Sequence, residues 1–505
     1  MKRIFSFLLV LLFVLLNIPV QGQLDELEPS LFWSEFSAIA AIFRPSGSEH
    51  EIKNYIVKRA IEFNLETSVD GVGNLIVKMP ATPGCEKWPG YILQGHLDMV
   101  CLARPESGFV WGRDVIEPYV DEGWLKARRT TLGADNGVGL AAMLYLMSSP
   151  PVRHGPVEFL FTVDEEGDFS GVCGLKPGQL NGKYLLNLDS EESGEFNVGC
   201  AGGQADSLTF FGARRSYQDD RVGFKLILEG GRSGHSGVDI HRGRANCLAE
   251  IVKLMRLIVA DTPVNIVDFK SGETDTAIPG SAEISFYCQK GSQNRVKKAA
   301  SRFLKSLRNR YKYADPDLNL ILAPLSAALP AMSESCSKKL IECLYEVPAG
   351  ILAMSRAWPG NVQTSINPGV IRANEEKFRL IVHLQGSTKP VIKMLSRRIS
   401  LIAQKYGALH QAGEPYEPWE PGGNDELIEM AVREHVKITG NEPLLKVVHA
   451  GVECGEIKKK FEKMQMLSFG PDIRHAHSTE EKLRISSIKP FLELIEGLVG
   501  SEVNN

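Results

Sequence analysis

The sequence has no Cys-x-x-Cys pair, no long run of charge of one sign, no internal repeat and no low-complexity segment. Each absence removes a class of protein. The 9 cysteines are scattered from Cys85 to Cys454, odd in number and unpaired in spacing. Neither a disulfide framework nor a cysteine zinc site is therefore expected, and most of these thiols read as small buried hydrophobes. The 57 basic and 61 acidic residues leave a formal charge of −4 without a concentrated basic face, which argues against a nucleic-acid partner. What remains is an ordinary globular composition in a 505-residue chain, long enough for two or more domains.

One long apolar run exists, and it is at the start. Met1-Lys2-Arg3 is basic, residues 4–20 are almost wholly apolar, and Val20-Gln21-Gly22 offers small residues for cleavage. Residues 1–22 read as a secretory signal peptide, with an uncleaved anchor as the rival. The expectation is export to a periplasm or the exterior, with no stable membrane span after cleavage.

The chain is organised around Tyr91-Ile-Leu-Gln-Gly-His-Leu-Asp98, a short apolar run that stops at polar chemistry. Read as a strand, it projects His96 and Asp98 to one face. A carboxylate beside an imidazole can hold one ring nitrogen and leave the other for a metal, although a buried structural pair is equally consistent with this tripeptide. Before it, helices are expected at 31–43 and 49–63, the second capped by Ser48, and a strand at 73–79. After it, strands are expected at 123–127, 157–163 and 184–188, with an apolar helix at 140–147. Strands alternating with helices predict an α/β layer whose active groups sit at strand ends.

Beyond Gly199-Cys-Ala-Gly-Gly203 the texture changes. Strands at 222–229, 282–289 and 378–384 and helices at 246–260, 296–310, 336–347 and 391–406 fit a separate α+β domain. A Pro/Gly-rich junction at 414–423, a helix at 424–439 and a strand at 464–469 return the chain to the first sheet. The expected plan is a signal peptide (1–22), a catalytic domain in two parts (23–204 and 409–505) and an inserted lid domain (205–408).

His96, Asp135, Glu165, Glu166, Asp189 and His477 each fall at an expected strand end or loop. Imidazole and carboxylate donors without cysteine suit zinc, and also cobalt or manganese. Two metals about 3.5–4 Å apart, sharing a carboxylate and a water beside a separate acid/base carboxylate, are a common device for splitting a peptide bond.

These residues carry a resemblance. Gly95-His-Leu-Asp98, Gly133-Ala-Asp-Asn-Gly137, Asp164-Glu-Glu166, Leu188-Asp-Ser-Glu191, Gly234-His-Ser236, His449-Ala-Gly-Val-Glu-Cys-Gly455 and His477-Ser resemble, in order, the aminoacyl-histidine dipeptidases of the co-catalytic zinc peptidase superfamily. The resemblance implies a mixed-sheet, three-layer catalytic domain with an inserted α+β lid, two zinc ions per chain and a homodimer through the lid. His96 and Asp189 would hold one ion, Glu166 and His477 the other, and Asp135 would bridge them. Asp98 would orient His96, and Glu165 would be the general base toward the water. The 135–136 peptide would be cis, His235 would act on the scissile carbonyl, and Gly451 would line the substrate pocket. His475 rivals His477, which is preferred because His-Ser followed by acids matches the family. Glu191 and Glu192 read as a solvated face, His241 and His449 as structural, and Asp164 as a supporting group.

The chain departs from the family pattern twice. Thr276 stands where Asn is usual, and Gln385 where an Arg is usual; both family residues look like parts of a clamp on the substrate carboxylate. Trading a bidentate charged contact for a neutral one weakens dipeptide specificity and leaves the hydrolytic chemistry intact. The expected activity is hydrolysis of short unblocked peptides, led by Xaa-His dipeptides including β-alanyl-histidine. The alternatives are an amidohydrolase acting on N-acyl amino acids and an inactive peptide-binding protein.

Overall fold

The computed structural model describes residues 24, 26–217, 220–325, 329–422 and 425–501, so the expected leader at 1–22 lies outside the described residues. Among the described residues no helix is long and apolar enough to cross a membrane. The chain divides into two compact units, the first comprising Met1–Val198, Pro421–Lys446 and Glu456–Asn505, the second Gly199–Glu420 and Val447–Gly455. The inserted unit thus starts before 205 and runs past 408. It also takes a second, later segment, Val447–Gly455, which lies in the expected catalytic part.

The first unit is built on a mixed sheet. Its strand order is Glu66–Val69, Leu75–Met79, Val157–Thr162, Tyr91–His96, Tyr184–Asn187, Gln465–Ser468, Glu195–Cys200 and Leu444–Val448. Tyr91–His96 lies parallel to both neighbours, and Gln465–Ser468 is parallel to Tyr184–Asn187. Every residue of Tyr91–His96, Val157–Thr162 and Tyr184–Asn187 is buried. That is why these segments read as continuous apolar runs rather than alternating ones: a parallel strand is covered on both faces. Their carboxyl ends point the same way, which brings residues 96–98, 164–166 and 188–189 to one edge. Helix Ala134–Ser148 is apolar nearly all round and packs on Tyr91–His96 and on helix Ser30–Ala40. A smaller antiparallel sheet, Ile473–Arg474, Lys482–Arg484, Trp124–Ala127 and Pro118–Asp121, carries the loop that holds His477.

The second unit is an antiparallel sheet with helices packed against it. Its strands run in the order Asn319–Pro324, Arg221–Glu229, Ala282–Gln289, Val264–Ser271, Val362–Ala373, Lys377–Gly386, Gly202–Phe211 and Leu409–Gln411, with Gly350–Met354 paired to Val362–Ala373. Helix Cys247–Asp261 shows how the sequence builds it. Asn246 caps its start by accepting the Ala249 N–H at 2.9 Å, and Leu248, Ile251, Val252, Met255 and Ile258 form the buried stripe.

Two local expectations change. Ser48 caps nothing: helix His50–Glu62 has no side-chain cap bond, and Glu49 instead accepts the N–H groups of Gly47 and Asp164. Tyr91–His96 ends at His96, so Asp98 lies beyond the strand and reaches its partners from the loop that follows it. Strands Gly202–Phe211, Val264–Ser271 and Val362–Ala373 are not expected from the sequence, because their interrupted apolar patterns give no clear period.

Candidate active site

In the first unit, His96 is 1% exposed at its side chain. Its Nδ1 lies 3.0 Å from the Asp98 carbonyl and 3.4 Å from Asp98 Oδ1. An Nδ1–H donated to that carbonyl leaves Nε2 with its lone pair turned to Asp135 Oδ1 at 3.0 Å and Asp189 Oδ1 at 3.3 Å. That tautomer is the metal-binding form of an imidazole. The backbone carbonyl, which sequence reading could not supply, does the closest holding.

Asp98 has a second task. Its Oδ1 accepts the Glu165 N–H at 3.1 Å, while Oδ2 accepts the Glu166 N–H at 3.0 Å and the Ser46 hydroxyl at 2.7 Å. The two glutamates are therefore set in place by the carboxylate beside His96. Asp164, at φ 58, turns the chain just before them, and its carbonyl accepts the Phe169 N–H.

Asp135 is the centre of the arrangement. Its Oδ1 faces His96, and its Oδ2 faces His477 Nε2, also at 3.0 Å. The 135–136 peptide is cis. Glu481 holds the loop that delivers Asp135, its Oε2 accepting the N–H of Leu132 at 2.7 Å and Gly133 at 2.9 Å, its Oε1 that of Asp135 at 3.2 Å. Buried Arg44 donates to the carbonyls of Leu97, Asp98 and Gly133. Asn136 donates to Leu188 O and Asp189 Oδ1, both at 2.8 Å. Gly95 and Gly139 make room for it: a Cβ on either would lie within 2.4 Å of the Asn136 amide oxygen. Arg44, Ser46 and Glu481 were not singled out in the sequence, and Asn136 appeared there only as half of the expected cis peptide. The run of acids after His477-Ser was the available signal for Glu481, while Ser46 showed only as part of a helix break.

The donor atoms form overlapping groups. Those of His96, Asp135 and Asp189 lie within 4.8 Å of one another, as do those of Asp135, Glu166 and His477, and those of His96, Glu165 and Glu166. The electrostatics call for positive charge. Burial opposes a charged His96, but Asp189, Glu165 and Asp135 outweigh it and raise its pKa well above the ordinary value. Burial opposes charge on His477 too, yet Asp135 and Glu166 push it up to about 11. Burial, with Asp135 and Glu166 nearby, lifts Asp189 to about 6. Glu166 Oε1, 2.9 Å from His477 Nε2, is buried and has no hydrogen-bond partner. An imidazole nitrogen and carboxylate oxygens that converge this closely, amid crowded negative charge, fit a divalent cation. Imidazole and carboxylate without thiolate fit zinc, cobalt or manganese.

His475 joins none of the donor groups, Glu191 is exposed, and Glu192 pairs with Arg474 at 2.7 Å. His241 is exposed rather than structural, and Cys85, Cys200, Cys247, Cys288, Cys343 and Cys454 are buried thiols outside any disulfide.

In the second unit, the His235 ring accepts the N–H groups of Gly237 and Val238 at Nδ1, both at 3.1 Å. Two donors aimed at Nδ1 place the proton of the neutral ring on Nε2. The Thr276 carbonyl accepts the Ser236 N–H at 2.7 Å. Gln385 is 1% exposed, its amide nitrogen donating to Tyr416 Oη and to the His449 carbonyl, both at 3.3 Å. Gly451 abuts the Tyr416 ring. His449 is buried, with Nε2 2.8 Å from Ser365 Oγ.

The fold and this donor set define a metal-dependent hydrolase. The sequence pattern of Peptidase family M20/M25/M40 matches residues 92–501, and the chain belongs to that family, as a metallopeptidase. It is 32% identical over 481 residues to the cytosol non-specific dipeptidase of Escherichia coli, covering 95% of this chain and 99% of the relative. The crystal structure of aminoacylhistidine dipeptidase from Vibrio alginolyticus superposes with a TM-score of 0.82 at 32% identity, covering 94% of this chain and 97% of that one. The aminopeptidase PepT of Bacillus cereus, at a TM-score of 0.53 and 16% identity, shares the fold.

Proposed function

We propose that this enzyme hydrolyses the peptide bond of short unblocked peptides, with Xaa-His dipeptides such as β-alanyl-histidine as leading substrates and two zinc ions as its resident metals. The observation that carries the reading is the Asp135 carboxylate, whose two oxygens face two different imidazoles, His96 and His477, at the same 3.0 Å. Among the relatives, one is named a non-specific dipeptidase and another an aminoacylhistidine dipeptidase, which supports the substrate class.

In this reading His96 and Asp189 would hold one ion, Glu166 and His477 the other, and Asp135 would be available to both. When bound, such ions polarise a carbonyl and acidify a water. The remaining work falls to the chain. Glu165, its backbone fixed by Asp98, accepts the proton of the attacking water and returns it to the leaving amine. His235 donates its Nε2 hydrogen to the oxygen of the scissile carbonyl, where charge develops.

Metal analysis joined to kinetics on dipeptides, tripeptides and N-acyl amino acids tests the proposal. Two zinc ions per chain and preferred cleavage of dipeptides uphold it; preferred cleavage of N-acyl amino acids overturns it. The apolar stretch 4–20 supports export, tested by N-terminal sequencing of the mature protein from fractionated cells. The family resemblance supports a homodimer through the inserted unit, tested by light scattering.

A further inference from the structure

In the family resemblance, Gln385 stands where an Arg is usual, in a clamp that would meet the substrate carboxylate. The structure gives it different work. Gln385 lies on strand Lys377–Gly386 directly opposite Ser365 on Val362–Ala373. The two neighbours grip His449 together: Ser365 Oγ meets its ring at 2.8 Å, and Gln385 Nε2 donates to its carbonyl at 3.3 Å. On that carbonyl and that amide rests Gly237. A Cβ added to Gly237 would lie 2.1 Å from His449 O, 2.7 Å from Gln385 Nε2 and 3.0 Å from Gln385 Oε1. Only a glycine can seat the chain this closely.

Gly237 is also one of the two donors that fix the His235 ring. The turn is held from another side by the Ser236 N–H on Thr276 O and by a bridge between His235 and Ala277. Gln385 is itself held. Its amide donates to Tyr416 Oη, which lies 3.1 Å from His383 Nε2, and His383 Nδ1 lies 2.7 Å from Asp275 Oδ2. One assignment satisfies the whole string: His383 Nδ1–H donates to Asp275, Tyr416 O–H donates to His383 Nε2, and Tyr416 Oη accepts from Gln385. Such a connected, satisfied network rigidifies what it supports.

We propose that Gln385 is a positioning residue for His235: anchored through Tyr416, His383 and Asp275, it forms with the His449 carbonyl the seat under Gly237 that fixes where His235 presents its Nε2 hydrogen. This rests on the carbonyl role given to His235 above. Misplacing a reacting group by about 1 Å costs on the order of 100-fold, so the loss belongs in kcat, not in substrate affinity.

The test is a double-mutant cycle between Gln385→Met and His235→Ala on the metal-loaded full chain, with metal content and thermal unfolding followed alongside. Gln385→Met should lower kcat about 10- to 100-fold with little change in KM, and should cost nothing further in the His235→Ala background. Tyr416→Phe, which removes the hydroxyl holding the Gln385 amide, should show the same pattern and serves if Gln385→Met does not fold. A loss that persists in the His235→Ala background, or that falls on KM and disappears with C-terminally amidated substrate, makes Gln385 a substrate contact and overturns the proposal. An unchanged kcat in Gln385→Met overturns it too. An unchanged kcat in His235→Ala alone removes instead the carbonyl role of His235, and with it the premise.

Discussion

Asp98 accepts the backbone N–H of Glu166 at 3.0 Å on the same Oδ2 that takes the Ser46 hydroxyl, so the carboxylate next to His96 also sets the segment carrying the neighbouring donors. In Asp98→Asn one of the oxygens becomes an amide that faces an N–H instead of accepting it. Metal affinity is expected to fall about 10- to 100-fold, the usual cost of losing a group that orients ligands. Titration of the apo-enzyme with zinc checks this; unchanged affinity would show that Arg44 and Ser46 suffice to hold the loop.

Glu165 and Glu166 share the Asp98 anchor but approach different imidazoles at different distances. Glu166 Oε1 lies 2.9 Å from His477 Nε2, whereas the nearest approach of Glu165 to His96 Nε2 is 4.0 Å. Glu165→Ala is expected to keep its metal and lose about 10²- to 10⁴-fold in rate. Glu166→Ala should lose metal first and recover partly in excess zinc. Zinc per chain and turnover, measured in both variants, decide it, and the reverse pattern would swap the two roles.

C-terminally amidated dipeptides should be cleaved with kcat/KM within about tenfold of the free acids. Gln385 is buried and committed, and the Arg372 guanidinium is taken by the carbonyls of Ser271 and Gly272 and by Glu273. A loss of two decades on amidation would reveal a charged anchor elsewhere, since a buried polar anchor left unpaired discriminates that strongly.

The pH dependence of stability has a defined sign at His449. Burial, with His235 and His383 nearby, lowers its pKa from 6.5 to about 4. The native state thus refuses a proton that the unfolded chain accepts. The stability involved is complete above pH 6.5 and is lost as pH falls toward 4, by at most about 3 kcal/mol. Denaturant melts across that window should show the decline in the wild type and a flatter slope in His449→Gln.

Alkylation of accessible thiols should leave turnover unchanged. Cys173 is exposed and remote in role, and burial pushes the Cys101 thiol up to about 11, so little thiolate is present at neutral pH. Loss of activity in a still-folded, alkylated enzyme would contradict this.

Much of the first unit was legible because parallel strands buried on both faces make apolar runs with abrupt polar ends. Those ends named His96, Glu165, Glu166 and Asp189 as neighbours before any coordinates. Gly202–Phe211 and Val362–Ala373 were not legible, since Gly, Asp, Ser and Pro interrupt their patterns, and pairing within a nine-stranded sheet overrides local propensity.

The residue types at the site were determined by the sequence alone: two imidazoles and four carboxylates at element ends and loops, with no thiol among them. Tertiary structure decided which atoms meet. The carbonyl that holds His96 comes from Asp98 two residues on, while the N–H groups gathered by Asp98 and Glu481, and the seat of Gln385 and His449 under Gly237, are contacts to backbone made across tens to hundreds of residues. Every residue carries the same backbone donor and acceptor, so no residue name marks which of them the fold will use.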